Sequence, residues 1–345
     1  MQTENDAIQI VNCHAAGEVG DVIVAGVEPP LADSIWDQSR IIANDQTLRN
    51  FVLNEPRGNL AKHVNLLVPP KNQTADFGFI IMEPEDTPPM SGSNTICVAT
   101  VILETGLVKA TEPQTKLVLE APGGLVEVIA DCNRGKVTKV HLQNVASFVE
   151  RRNATLKVDG MRPFKVDVAF GGDSFVIVDA RSLGFAIVPT EARKIAELGI
   201  KITNAANEQL GFSHPTLPDW MHISFCMMTL PMREENGKKI GRHAVAIQPG
   251  KLDRCPTGTG CSARLALMHA NGEIAVDEVF YGESLIDSQF ECKILKETKL
   301  SRLDAIIPQI SGTAWITGKQ EIYRLESDPF PAGYRLSDTW PTKNN

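Results

Sequence analysis

Apolar residues fall in short alternating or continuous runs along most of this chain, with a few longer stretches at helical spacing. Residues 9–13 and 21–25 read as the strands of a hairpin, with the turn spanning 14–20. From 31 to 53 the apolar positions Ile35, Ile41, Ile42, Leu48 and Val52 share one side of a helix. Glu55-Pro56-Arg57-Gly58 reads as a turn. The continuous run 77–82 predicts a buried strand, and 117–120, 125–130 and 137–145 predict three more. Near Arg151 the pattern restarts. Strands are expected at 164–170 and 175–179, on either side of Gly171-Gly172-Asp173. A helix follows over 189–210, then strands at 222–230, 244–248, 279–286, 290–295 and 314–316.

Two further segments are apolar on nearly every face and begin alike. Met90-Ser91-Gly92-Ser93-Asn94-Thr95 runs into a helix that stops at Gly106. Pro256-Thr257-Gly258-Thr259-Gly260-Cys261 runs into one that stops at Gly272. In register, Ser91 falls on Thr257, Gly92 on Gly258, Ser93 on Thr259 and Gly106 on Gly272. Helices without a polar face are expected to be fully buried, here inside a cup of strands. Ser and Thr are ordinary N-cap residues, so either stretch alone reads as a capped helix. Repetition of the unit points instead to a repeated role. The first turn of a helix presents unpaired N–H groups and partial positive charge, and a glycine there lets an anion approach. Two such ends facing each other would hold a small anion with one hydroxyl on each wall. That suits removal of a proton from the carbon beside a carboxylate.

Composition narrows the possibilities. The chain has 345 residues, long enough for two domains of similar size. Its net charge of −8 and its lack of a basic run argue against a nucleic-acid partner. No apolar run is long enough to span a bilayer, and no charged-then-apolar N-terminus reads as a signal peptide. Cys13, Cys97, Cys132, Cys226, Cys255, Cys261 and Cys292 are odd in number and scattered. They read as reduced thiols of a cytoplasmic protein. Nothing in the motifs calls for a nucleotide, a metal or a flavin. Asp253, four residues before Thr257, could receive a substrate ammonium or simply cap its loop. His14, beside Gly17 and Glu18 at a hairpin tip, could contact a ligand or simply form part of a surface turn. His222 and His243 sit within strand patterns and read as core or surface residues.

Residues 90–95 and 253–260 resemble the two signature motifs of the proline racemase family, which includes hydroxyproline 2-epimerases and trans-3-hydroxy-L-proline dehydratases. His14-Ala15-Ala16-Gly17-Glu18, Glu55-Pro56-Arg57-Gly58, Gly171-Gly172 and the stretch from Asp328-Pro329-Phe330 to Gly333 are similar to further landmarks of that family. The resemblance implies an α/β, diaminopimelate-epimerase-like fold. Its two pseudo-symmetric halves would each be a curled, mostly antiparallel sheet around a central helix, with the site between them. The halves are expected at 1–148, carrying Ser91, and 149–317, carrying Asp253 and Thr257, with about 318–345 packing back on the first. The resemblance also implies no cofactor, a small amino-acid substrate and a homodimer.

Racemases and epimerases of the family carry cysteine at both hydroxyl positions, or occasionally serine at the first. Threonine at the second is the mark of the dehydratases. The resemblance therefore implies catalysis by Ser91 and Thr257. Substrate would be held by Gly92, Ser93, Asn94, Asp253, Gly258 and Thr259, with Ser91 taking the α-proton and water eliminated to give Δ1-pyrroline-2-carboxylate. Ser93 stands where the family usually has His, and Cys255 where it usually has Ser. A thiol at Cys255 acting on the second face would make the chain an epimerase. A binder of proline-like ligands that performs no chemistry is the third reading.

Overall fold

The computed structural model describes residues 7–217 and 219–340. They fall into two units, one formed by the chain up to residue 142 and from 312 onward, the other by residues 143–311. No helix among the described residues is long and apolar enough to cross a membrane.

The first unit begins with β1 (Ala7–Ala15), a short β2 (Glu18–Val19) and β3 (Asp21–Ala25), which returns antiparallel to β1. The turn expected over 14–20 is tighter than its sequence suggests. His14 and Ala15 stay in β1, paired with Val19 and Glu18, and the His14 ring stacks on Trp315 at 5.3 Å. The helix expected over 31–53 is two helices, α1 (Ile35–Asp45) and α2 (Thr47–Leu53). Ser34 starts α1 as a true N-cap, its Oγ accepting the Asp37 N–H at 3.0 Å. Gln46 ends it by turning left-handed, φ 56°, with its N–H on the Ile42 carbonyl.

Next come β4 (Val64–Val68), β5 (Phe77–Met82), α3 (Gly92–Glu104), β6 (Gln114–Ala121), β7 (Gly124–Asn133) and β8 (Lys136–Gln143). β4 lies parallel to β3 and antiparallel to β5, while β6 lies parallel to β5 and antiparallel to β7. α3 packs on β1, β3 and β7 and is buried from Gly92 through Leu103.

The second unit contains β9 (Ser147–Leu156), β10 (Phe164–Phe170), β11 (Ser174–Asp179), α4 (Ala192–Gln209) and β12 (Phe225–Thr229). Then follow β13 (Arg233–Glu235), β14 (Lys238–Ile247), β15 (Lys251–Leu252), α5 (Gly258–Ala270), β16 (Val279–Glu283), β17 (Gln289–Leu300) and β18 (Leu303–Gly312). Pairing runs β9–β10–β11–β12–β14–β16–β17–β18 and closes from β18 back to β9, so this sheet is a ring. Closure removes the free edges. α5 packs on β9, β10, β11 and β17 and is buried from Gly258 through Met268, which places it inside the ring. The strand expected to start at residue 222 starts at Phe225. His222 instead sets its ring against Trp220, and the Ile223 N–H is taken by Asn207 Oδ1 at 2.7 Å.

β19 (Ala314–Tyr323) belongs to the first unit and pairs with the whole of β1.

The repetition in sequence is a repetition in topology. β3-α1/α2-β4-β5-α3-β6-β7 and β11-α4-β12-β14-α5-β16-β17 both run parallel, antiparallel, parallel, antiparallel. Each parallel step is bridged by helix, as a parallel pair requires. The fold is thus mixed α/β, each half a curled, mostly antiparallel sheet around one buried helix, as the resemblance implies.

Gly171 shows how tightly the second sheet grips its helix. A Cβ there would lie 2.1 Å from the Thr259 carbonyl oxygen and 2.3 Å from the Ala263 nitrogen. Asn144 locks the same contact, donating to the Gly171 carbonyl and to Ser262 Oγ, both at 2.8 Å. Backbone atoms cannot swing aside as a side-chain tip can. Gly171→Ala is therefore expected to destabilise the chain by about 3 kcal/mol, read as a lowered urea midpoint with an unchanged slope.

Candidate functional site

Each buried helix starts with a hydroxyl residue at its N-cap position. In neither case does that hydroxyl cap the helix. Ser34 provides the comparison within the same chain, since it accepts a first-turn N–H in the ordinary way. At α3 the backbone ladder begins with Thr95 N–H to the Ser91 carbonyl at 3.0 Å, and at α5 with Cys261 N–H to the Thr257 carbonyl at 2.8 Å. The N–H groups at Gly92, Ser93 and Asn94, and at Gly258, Thr259 and Gly260, precede those first rungs and have no intrahelical acceptor. Both ends are suited to an anion, and both hydroxyls are committed elsewhere.

In the first unit Ser91 Oγ accepts a hydrogen bond from Asn94 Nδ2 at 2.9 Å and lies 3.5 Å from Ser93 Oγ. Asn94 Oδ1 accepts from Asn65 Nδ2 at 2.7 Å, and the same amide nitrogen donates to the Asp21 carbonyl at 3.1 Å. The Asp21 carboxylate is held by Asn12 Nδ2 at 2.9 Å, by the Cys13 N–H at 3.1 Å and by Lys62 Nζ at 3.3 Å. Ser91, Ser93, Asn94, Asn65 and Asp21 are all buried. A Cβ on Gly20 would sit 3.0 Å from Asn94 Oδ1, so that glycine leaves room for the amide.

Metal-ligating side chains also meet in this unit at His63. Its Nε2 lies 3.8 Å from Glu18 Oε1 and its Nδ1 lies 3.8 Å from Glu83 Oε1.

In the second unit Thr257 has φ 55° and ψ 97°. A β-branched residue at positive φ is a genuine outlier, costing on the order of 1–3 kcal/mol. Several contacts hold it there. Its Oγ1 donates to Asp253 Oδ2 at 2.5 Å, and its N–H donates to Cys255 Sγ at 3.3 Å. Lys251 Nζ, also buried, lies 3.8 Å from the other Asp253 oxygen.

The carbonyl of Pro256 is fixed from behind. His243 Nε2 meets it at 2.6 Å, and Arg264 Nη1 meets His243 Nδ1 at 3.2 Å. Arginine can only donate, so Nδ1 accepts and Nε2 carries the proton given to Pro256. Burial lowers the Arg264 pKa to about 10, which still leaves it cationic near neutral pH. It also donates to the carbonyls of Leu230 and Arg242 at 2.7 and 3.1 Å.

The site residues read from sequence therefore gather in two groups. Ser91, Gly92, Ser93 and Asn94 lie at the start of α3, and Asp253, Thr257, Gly258 and Thr259 at the start of α5. The side-chain amide of Asn94 lies between Ser91 and Asn65. Sequence alone did not reveal Asn65, Asp21, Lys251 or Arg264 as neighbours of these groups, and it left His243 as a plain core or surface residue. Their only signal is a polar side chain on the inward face of an apolar element. All seven cysteines are buried and free. Cys255 turns its sulfur onto the Thr257 backbone, and burial pushes the Cys261 thiol well above its ordinary pKa.

Comparison with known proteins adds the following. The family model described as Proline racemase matches residues 10–335. A hydroxyproline epimerase from Agrobacterium vitis, crystallised with trans-4-hydroxy-L-proline, is 34% identical with a TM-score of 0.93; the alignment covers 97% of this chain and 96% of that one. A probable proline racemase from Agrobacterium radiobacter K84, crystallised with carbonate, is 33% identical with a TM-score of 0.93, covering 97% and 98%. A phenazine biosynthesis protein of the PhzF family from Bacillus anthracis, 12% identical with a TM-score of 0.55 over 92% of this chain and 99% of that one, shares the fold.

Proposed function

We propose, from the premise that this chain belongs to the proline racemase family, that it is a trans-3-hydroxy-L-proline dehydratase. The observation that carries this reading is Thr257. It is a secondary alcohol in a strained backbone, with its proton on a carboxylate. Inverting a stereocentre requires a group on each face that both gives and takes a proton near pH 7. A thiol with a pKa near 8.5 can do that, and an alkyl hydroxyl is a far weaker acid. Elimination asks less of the second face, which must only help a hydroxyl depart.

In this reading both helix ends act on one substrate. The substrate carboxylate lies on the N–H groups of Gly92, Ser93, Gly258 and Thr259, which also stabilise the enolate-like charge as it forms. The ring ammonium takes Asp253 and displaces the Thr257 hydroxyl from Oδ2. Ser91, as alkoxide, takes the proton from C2. The electron pair left on carbon forms the C2–C3 double bond, and the C3 hydroxyl leaves with a proton from Thr257 as water. The proton at Ser91 returns to Thr257 through solvent, and the enamine tautomerises to Δ1-pyrroline-2-carboxylate.

A second reading, hydroxyproline 2-epimerase, is favoured by the likeness to the Agrobacterium vitis enzyme. Incubation with trans-3-hydroxy-L-proline in D2O separates the two. The expected result is an imine trapped by o-aminobenzaldehyde, with no deuterated C2 epimer. Recovery of the epimer in place of the imine would overturn the lyase reading in favour of the second. Tight binding without turnover would overturn both.

A further inference from the structure

Serine is an unpromising base, and what activates Ser91 follows from which atoms can donate. We infer that Asn65, acting through Asn94, is a positioning residue that makes Ser91 Oγ a hydrogen-bond acceptor and so stabilises its alkoxide. The inference rests on the reading of Ser91 as the group that takes the C2 proton.

The chain of donors has one fixed end. The Asp21 carbonyl can only accept, so the Asn65 nitrogen that meets it at 3.1 Å is an N–H donor. That settles which way the Asn65 amide points. The second N–H of the same nitrogen then meets Asn94 at 2.7 Å, so the Asn94 atom there is the oxygen. The Asn94 atom 2.9 Å from Ser91 Oγ must therefore be the nitrogen. Ser91 Oγ receives a proton donor that it cannot refuse or reorient. A donor aimed at the charged form of a group favours that form. The partial positive charge at the start of α3 acts in the same direction. Asn65 and Asn94 are both fully buried, where such a bond is strongest and where a reversed amide would leave carbonyl against carbonyl. Lys62 and Asp21 anchor the far end of the network. Thr257 has the opposite polarity, as its hydroxyl donates to Asp253. The two hydroxyls thus differ in polarity, Ser91 accepting from a fixed amide and Thr257 donating to a carboxylate from which the substrate ammonium would release it.

The test is Asn65→Asp. A carboxylate at 65 accepts rather than donates, so the Asn94 amide turns over and presents Oδ1 to Ser91, which must then donate to it. The readout is release of tritium from C2 of labelled trans-3-hydroxy-L-proline and trans-4-hydroxy-L-proline, a step that elimination and epimerisation share. We expect kcat for this release to fall about 100-fold at pH 7, KM to stay within about threefold, and the rising limb of the pH profile to move to higher pH. Asn65→Ala, which removes the donor without reversing the amide, should shift the same limb by less, and it carries the test if Asn65→Asp does not fold. A folded variant with an unshifted limb would overturn the inference, whichever product the wild-type chain makes. A wild-type chain that makes epimer rather than imine would overturn the lyase reading and leave the relay standing. A wild-type chain that releases no tritium would remove the base, and the relay with it.

Discussion

Ser91→Ala is expected to lower kcat/KM for loss of the C2 proton by about 10⁴-fold or more. The loss should fall almost wholly on kcat. The first-turn N–H groups of α3 belong to the backbone and survive the change, so binding of the carboxylate is retained. What disappears is the acceptor into which Asn94 points, and no neighbour can replace it. Ser93 Oγ is 3.5 Å from Ser91 Oγ, too far to stand in without a shift of the helix end. The stability of the fold should fall by about 1–3 kcal/mol, because the buried Asn94 amide loses its acceptor, while the helix start itself is kept by the Thr95 N–H on the backbone carbonyl of residue 91. Stopped assays for tritium release, with thermal melts of both proteins, check both halves of the expectation. A variant that keeps more than about a tenth of wild-type turnover would place the base elsewhere.

Much of this was legible in the sequence, and for a physical reason. The two helices announce themselves because burial on all faces strips them of polar positions, and because a helix start next to glycine has a recognisable composition. Strands with both faces covered, such as β5 and β11, read as continuous apolar runs. Other elements were hidden by their own chemistry. β9 carries Arg151, Arg152 and Asn153 in mid-strand, all three exposed. β18 is broken in pattern by Pro308, although its ladder with β17 continues past it with only an irregularity at Ile294 and Lys296. β19 alternates in and out with a polar outer face and so reads as strand for only three of its residues, 314–316. The split at Gln46 is a left-handed residue that no spacing rule foresees.

In the site, the hydroxyls were legible and their polarity was not. Whether Ser91 accepts and Thr257 donates depends on Asn65 and Asp253. Asn65 lies 26 positions before Ser91, in a strand with no motif of its own. A contact formed by the fold leaves no trace in local pattern.

Thr257→Cys is expected to change the reaction and not merely slow it. Dehydration should fall by about tenfold or more as the placed donor to the leaving hydroxyl is lost, and a C2 epimer of the substrate should appear. The sulfur sits where Thr257 Oγ1 sits, but its proton is far more easily lost and regained near neutral pH. The second face then both gives and takes. Two features of the structure favour this exchange. Removing the β-branch relieves crowding at φ 55°, so the loop tolerates cysteine at least as well as threonine. The Pro256 carbonyl stays pinned by His243 and Arg264, so the new thiol is held in the same place. Cys255→Ser is the control, because the Cys255 sulfur is spent on the Thr257 backbone N–H. That variant should leave rates within about twofold. Chiral chromatography of recovered substrate, run beside the o-aminobenzaldehyde assay, reads both products from one reaction. If Thr257→Cys yields only imine at an unaltered rate, residue 257 does not act on the second face. If Cys255→Ser stops turnover, that face belongs to Cys255, and the difference between alcohol and thiol at 257 is not what separates elimination from inversion.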